Sequence, residues 1–162
     1  MKLRSSGVEE TRDIGERLAS LMLPGDVIVL SGDLGSGKTA LAQGIGRGLG
    51  VEGPVVSPTF VIVREHAGPL PMAHVDVYRL EHVQELHDLG FEEVLDAGRV
   101  TVIEWGERVA PLLPESRLEV SLRTGPTPTE REIECAARGW TWVGRERNLE
   151  EALAPWAVDT SC

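Results

Sequence analysis

The sequence predicts an α/β fold: a mixed sheet with a parallel core, added antiparallel strands, and helices on both faces. Three observations predict it. The chain opens with an amphipathic stretch, a buried apolar run, a glycine loop and a second amphipathic stretch, the order α-β-loop-α. Further β-branched runs alternate with helical stretches through its middle. Near its end, "RLEVSLRT" and "EREIECAAR" read as an antiparallel pair joined by a "GPTPT" turn. With 162 residues, one domain over 1–162 with a sizeable core is expected.

Residues 8–23 carry Val8, Ile14, Leu18, Leu21 and Met22 at helical spacing, and Pro24-Gly25 ends the helix. "DVIVLSG" is a short β-branched run, read as a buried strand. Residues 38–50 read as a helix with Leu41, Ile45 and Leu49 on one face. Its Gly44, Gly46 and Gly48 are read as close packing on a sheet, since no G-x-G-x-x-G register fits them. "PVVSPTFVIVREH" is extended, with Pro58 biasing Ser57 away from helix. "MAHVDVYRL" alternates as a strand, placing His74, Asp76 and Tyr78 on one face and Val75 and Val77 on the other. A site-lining strand has that pattern, and so does an exposed edge strand. "EHVQELHDLGFEEVLDAG" reads as a short helix stopped by Gly90. "RVTVIEW" is another strand, and "RVAPLLP" a short helical or turn piece. The tail, with Trp140, Trp142 and Trp156, is expected to hold a final strand and a short helix around Leu149 to Leu153.

Composition narrows the class. Apolar residues make up 41%, as in globular proteins. No run approaches the roughly 20 apolar residues that span a bilayer, and the N-terminus lacks the apolar segment of a signal peptide, so a cytoplasmic protein off the membrane is expected. Cys135 and Cys162 form no C-x-x-C pair, and Cys135 reads as a core residue. The histidines at 66, 74, 82 and 87 have no partners at zinc spacing. The net charge of −10 disfavours a chain that grips nucleic acid alone. The only lysines are Lys2 and Lys38, which makes a lysine in a glycine loop conspicuous.

That loop, Gly32-Asp33-Leu34-Gly35-Ser36-Gly37-Lys38-Thr39, fits G-x-x-x-x-G-K-[ST] in full. Its glycines allow successive backbone N–H groups to line one anion-binding concavity. The helix that follows adds its positive end. Lys38 is expected to reach the β- and γ-phosphates, and the Thr39 hydroxyl to ligate Mg²⁺. An ordinary glycine turn is the alternative, but the strand before and the helix after count against it. The fold expected is therefore P-loop NTPase-like.

Such a site needs an acidic residue on a neighbouring strand to complete the Mg²⁺ shell. Glu104, ending "VTVIE", and Asp76, inside "HVDVYR", both qualify, with a solvated strand-end charge as the weaker alternative for each. "SPTF" lies where other P-loop proteins carry a γ-phosphate-sensing loop, so Thr59 is a candidate contact, with a plain proline turn as the alternative.

In order and spacing, "GDLGSGKTALAQGIGRGLG", "VSPTF", "HVDVYRL", "ELHDLGFEEVL" and "VIEWGER" resemble the bacterial TsaE family. That family is the P-loop ATPase required for threonylcarbamoyladenosine modification at position 37 of ANN-decoding tRNAs. The resemblance runs from about residue 8 to residue 138. It implies ATP on Gly32 to Thr39, with Mg²⁺ held by Thr39 and Glu104. It also implies Asp76 near the γ-phosphate, Thr11 and Arg131 near the nucleotide, and Trp105 following Glu104 as in the family. Lys38, Asp76 and Glu104 would be the catalytic set. The implied partners are the TsaD and TsaB proteins, with tRNA engaged only indirectly.

The expectation is an ATPase of low intrinsic activity that acts as a switch on its partners. The rival is a small-molecule kinase, which needs an acceptor pocket and arginines over the transferring phosphoryl group. Arg64, Arg79 and Arg131 lie singly in different segments and suggest no such lid. A GTP switch normally carries N-K-x-D, whereas here the one asparagine, Asn148, is followed by Leu149, so ATP is favoured.

Overall fold

The run Val27–Ser31 (β2) is almost wholly buried and forms the middle of a seven-stranded sheet. The computed structural model describes residues 1–58, 62–96 and 98–158. Around β2 stand β1 (Lys2–Ser5), β3 (Val63–His66), β4 (Met72–Asp76), β5 (Val100–Glu104), β6 (Arg117–Thr124) and β7 (Arg131–Arg138), in the order β1-β7-β6-β2-β5-β4-β3. β2 pairs in parallel with both β5 and β6, and β4 pairs in parallel with β5. The outer pairs β1/β7, β6/β7 and β3/β4 are antiparallel. This is the mixed sheet with a parallel core that the sequence predicts.

Helices cover both faces. On one lie α1 (Val8–Ala19), α2 (Lys38–Leu49) and α6 (Glu146–Leu153), packed on Ile28, Leu30, Val102, Leu118 and Val120. On the other lie α3 (Val83–Asp88), α4 (Phe91–Asp96) and a 3₁₀ turn over Gly106–Leu112, packed on Val27, Val29, Val75 and Ile103. The two clusters use alternate residues of β2, as the period-2 pleat requires. Among the described residues, no helix is long and apolar enough to cross a membrane.

Three sequence expectations are corrected and one element is new. The stretch over 81–98 folds as two helices, because Gly90 at φ 73° turns the chain and α4 starts again behind it. The glycines of α2 do not all face the sheet. A Cβ on Gly44 would lie 2.0 Å from the Arg12 carbonyl oxygen, and one on Gly48 2.5 Å from Ala19 Cβ, so both admit α1. No final strand forms at Trp140–Trp142. Gly139, at φ 70°, turns the chain into α5 (Gly139–Val143), which seats Trp142 in the core. Finally, β1 at the sheet edge has no counterpart in the sequence reading.

Candidate functional site

The parallel core sets the geometry. β2 and β5 run side by side, with Leu30 opposite Glu104, and end at the same edge of the sheet. The loop 32–37 leaves β2 at that edge, and α2 begins at Lys38. Gly37 caps α2 in the left-handed region at φ 103°, where a side chain would be strained. A Cβ on Gly32 would lie 2.3 Å from the Leu122 carbonyl oxygen, so only glycine lets the loop pass β6 this closely. The loop thus wraps the positive end of a twelve-residue helix.

Lys38 is buried at the root of this loop. Its Nζ donates to the carbonyl oxygens of Gly32 (2.6 Å) and Asp33 (2.9 Å) and lies 4.0 Å from the Trp105 ring centroid. Burial lowers its pKa, against the opposing charges of Glu104, Glu107, Asp76 and Asp33. Trp105 is the one non-glycine residue with positive φ, 63°, among the described residues, and its ring also meets Tyr78 at 4.9 Å. Held in this sparsely populated conformation, it walls the site with an aromatic face.

Thr39 and Glu104, far apart in sequence, meet here. The Thr39 hydroxyl donates to Glu104 Oε1 at 2.9 Å. Burial by itself would raise the Glu104 pKa. The hydrogen bond and charge of His74, the Thr39 hydroxyl and the Lys38 ammonium outweigh it and hold the carboxyl below its ordinary value. Asp76 lies beside Glu104 in the β4/β5 register, and its carboxylate accepts from Ser57 Oγ (2.6 Å) and the Tyr78 backbone N–H (2.9 Å). β4 is flanked by β3 and β5, so its polar face is not an exposed edge.

Lys38, Thr39, Ser57, Asp76, Tyr78, Glu104 and Trp105 line one open cleft of about 520 Å³, together with Leu34, Gly35, Gly37, Arg79 and Arg131. Arg131 donates to the Gly35 carbonyl oxygen at 3.2 Å and is anchored on the carbonyls of Pro128 and Glu130, both at 2.7 Å. Separation of the arginines in sequence therefore does not mean separation in space: Arg79 and Arg131 face the same cleft. Thr11 lines an adjoining cavity with Gly37 and Arg131. It is fully buried, accepting from Ser5 Oγ at 2.8 Å and donating to the Gly7 carbonyl oxygen at 3.1 Å. Thr59 lies outside the described residues. Sequence reasoning missed Arg79 and Ser57 as site residues, and left His74 as a face residue without a partner. For His74 the alternating H-x-D pattern was a signal, and for Arg79 its place inside the "HVDVYRL" stretch was one.

The donor set fits a magnesium ion. Among the described residues, no three His, Cys, Asp or Glu side chains are placed to hold a metal by themselves. A hydroxyl and a carboxylate of lowered pKa at the mouth of a phosphate-type loop suit an ion that takes its other ligands from phosphate and water, as Mg²⁺ does.

The family model for TsaE, the threonylcarbamoyl adenosine biosynthesis protein, matches residues 5–133. The tRNA threonylcarbamoyladenosine biosynthesis protein TsaE of Bacillus subtilis is 41% identical over 140 residues, covering 86% of this chain and 87% of the relative. The protein of the same name from Streptomyces coelicolor is 45% identical over 140 residues, covering 82% and 93%. The crystal structure of Bacillus subtilis YdiB superposes with a TM-score of 0.81 at 34% identity, over 93% of this chain and 94% of that one. The chain belongs to the TsaE family, which serves the biosynthesis of threonylcarbamoyladenosine in tRNA.

Proposed function

We propose that the chain is the ATP-binding and ATP-hydrolysing component of the threonylcarbamoyladenosine machinery, acting on a TsaD–TsaB complex. One observation carries the nucleotide reading: the complete loop Gly32–Thr39 meets Glu104 through Thr39, with Lys38 beneath it. The loop N–H groups and the start of α2 would take the phosphates, and Lys38 would exchange its carbonyl partners for β- and γ-phosphate oxygens. Thr39 and Glu104 would hold Mg²⁺, which supplies charge neutralisation between the phosphates. Asp76, with Ser57 and Tyr78 fixing its carboxylate, would stand near the γ-phosphate. Arg131, anchored on Gly35, and Arg79 would face the nucleotide from the cleft wall.

What surrounds the loop supports the switch reading. Leu34 at its tip is 81% exposed, and Val8 and Tyr78 on the rim are 55% and 43% exposed. An apolar rim around a polar cleft suits a protein partner. The net charge of −10 fits indirect engagement of tRNA, through that partner. A pull-down on the immobilised chain, with and without ATP and Mg²⁺ and probed for TsaD and TsaB, tests this. Nucleotide-dependent capture is expected, and capture of neither protein under any condition would overturn it.

The convergence of Arg79 and Arg131 is the one observation that favours the second reading, a small-molecule kinase. Phosphoryl transfer by the isolated chain to a small acceptor at about 1–100 s⁻¹ would establish that reading, whereas slow hydrolysis alone supports the first.

A further inference from the structure

His74 is completely buried. Its Nε2 lies 2.9 Å from Glu104 Oε2. Glu104 is thus held at both oxygens: Oε1 accepts from Thr39, and Oε2 faces His74. An ionised carboxylate only accepts, so Nε2 carries a proton and donates to Oε2, which leaves Nδ1 as the ring nitrogen turned away from Glu104. That Nδ1 is buried with no hydrogen-bond partner among the described residues. A leucine would fill the same space without stranding a nitrogen. The imidazole therefore brings an unfavourable atom into the core, and what it gains in return is the bond to Glu104.

The strand register makes this contact specific. Asp76 stands directly opposite Glu104, while His74 stands opposite Val102 and reaches diagonally along the ladder. The H-x-D spacing thus puts two polar side chains on one face with different tasks. Asp76 opens into the cleft, and His74 sits behind the carboxylate.

We propose that His74 is a positioning residue for the metal carboxylate, pinning Glu104 Oε2 so that Oε1 is already aimed at Thr39 and the phosphate loop before an ion arrives. The proposal rests on the Mg²⁺–nucleotide reading given above. Partners behind a metal ligand fix its orientation, and their loss commonly weakens metal binding about 10- to 100-fold.

The test is binding of a fluorescent ATP analogue by the full chain, titrated with Mg²⁺ and repeated in EDTA, with thermal unfolding measured alongside. For His74→Leu, the Mg²⁺ needed to enhance binding should rise about 10- to 100-fold, while affinity in EDTA stays at the wild-type level. His74→Gln, whose amide N–H reaches as far as Nε2, should restore most of the Mg²⁺ response. His74→Asn, one bond shorter, should not. A wild-type Mg²⁺ response in His74→Leu overturns the proposal, as does equal loss of binding with and without Mg²⁺. If His74→Leu does not fold, the Gln and Asn variants decide, and equal Mg²⁺ requirements in the two overturn it. If the wild-type chain itself shows no Mg²⁺-dependent nucleotide binding, the Mg²⁺–nucleotide reading fails and takes this proposal with it. A normal wild-type response alongside a normal His74→Leu response sinks the proposal alone.

Discussion

At the residue scale, the site joins groups that would be costly apart. Lys38 is buried but reaches two carbonyl oxygens and an aromatic face, so its ammonium is not left unmatched. Lys38→Ala should weaken binding of a fluorescent ATP analogue about tenfold to hundredfold, the worth of one charge-assisted hydrogen-bonding group. Glu104→Ala should act differently. It leaves the loop and Lys38 in place, so Mg²⁺-dependent hydrolysis should fall about 100-fold or more while nucleotide affinity changes less. Steady-state phosphate release compared with equilibrium binding separates the two. A Glu104→Ala chain that hydrolyses ATP at the wild-type rate would refute the metal assignment. Cys135 stands apart from this chemistry, since burial pushes its thiol up to about 12 and leaves it a core residue, as its sequence context suggests.

At the element scale, the loop is held at both ends by close packing. β2 is clamped between two parallel neighbours, and α2 lies against α1 along its glycines. Gly44→Ala would improve helix propensity by about 1 kcal/mol, yet its Cβ would meet the Arg12 backbone at 2.0 Å. Because the obstruction is backbone rather than a flexible side chain, overpacking should win, with a net loss of about 1–3 kcal/mol. Urea denaturation should report it as a lower midpoint at unchanged slope. A midpoint equal to or above wild type would mean that α1 and α2 can slide apart freely. The periodicity of α1, β2 and α2 was legible because each buries one strong apolar face. β1 was not, because its four residues, alternating exposed and buried, become a strand only by pairing with β7, over a hundred residues away.

At the scale of the whole molecule, the tryptophan tail closes the core. Arg145, just before α6, makes a bidentate pair with Asp26, both contacts at 2.7 Å, and donates to the Leu21 carbonyl oxygen at 2.9 Å. Its guanidinium also stacks 4.0 Å from the Trp142 ring, while Leu149 and Leu153 are buried beneath α6. The pair ties the tail to the turn that feeds β2, at the end of the strand opposite the phosphate loop. Arg145→Ala strands a nearly buried Asp26 and should cost about 3–5 kcal/mol, a fall in Tm of about 10 °C by calorimetry. An unchanged Tm would mean that the Arg145–Asp26 pair contributes nothing to stability.

The phosphate loop, its flanking strand and helix, and the α/β class were determined by the sequence alone. Each of these rests on local physics: glycine freedom, helix period, β-branched runs and a lysine in a loop. Asp76 and Glu104 could be named as candidates because each follows an apolar run. Only the tertiary structure decided that Glu104 meets Thr39, that His74 stands behind it, and that Arg79 and Arg131 share a cleft. Those are contacts between segments dozens of residues apart, set by which strand lies beside β2 and in what register. No periodicity encodes that choice. It is made by the burial of both sheet faces together, which puts the ends of β2, β4 and β5 at one edge and their polar side chains around one loop.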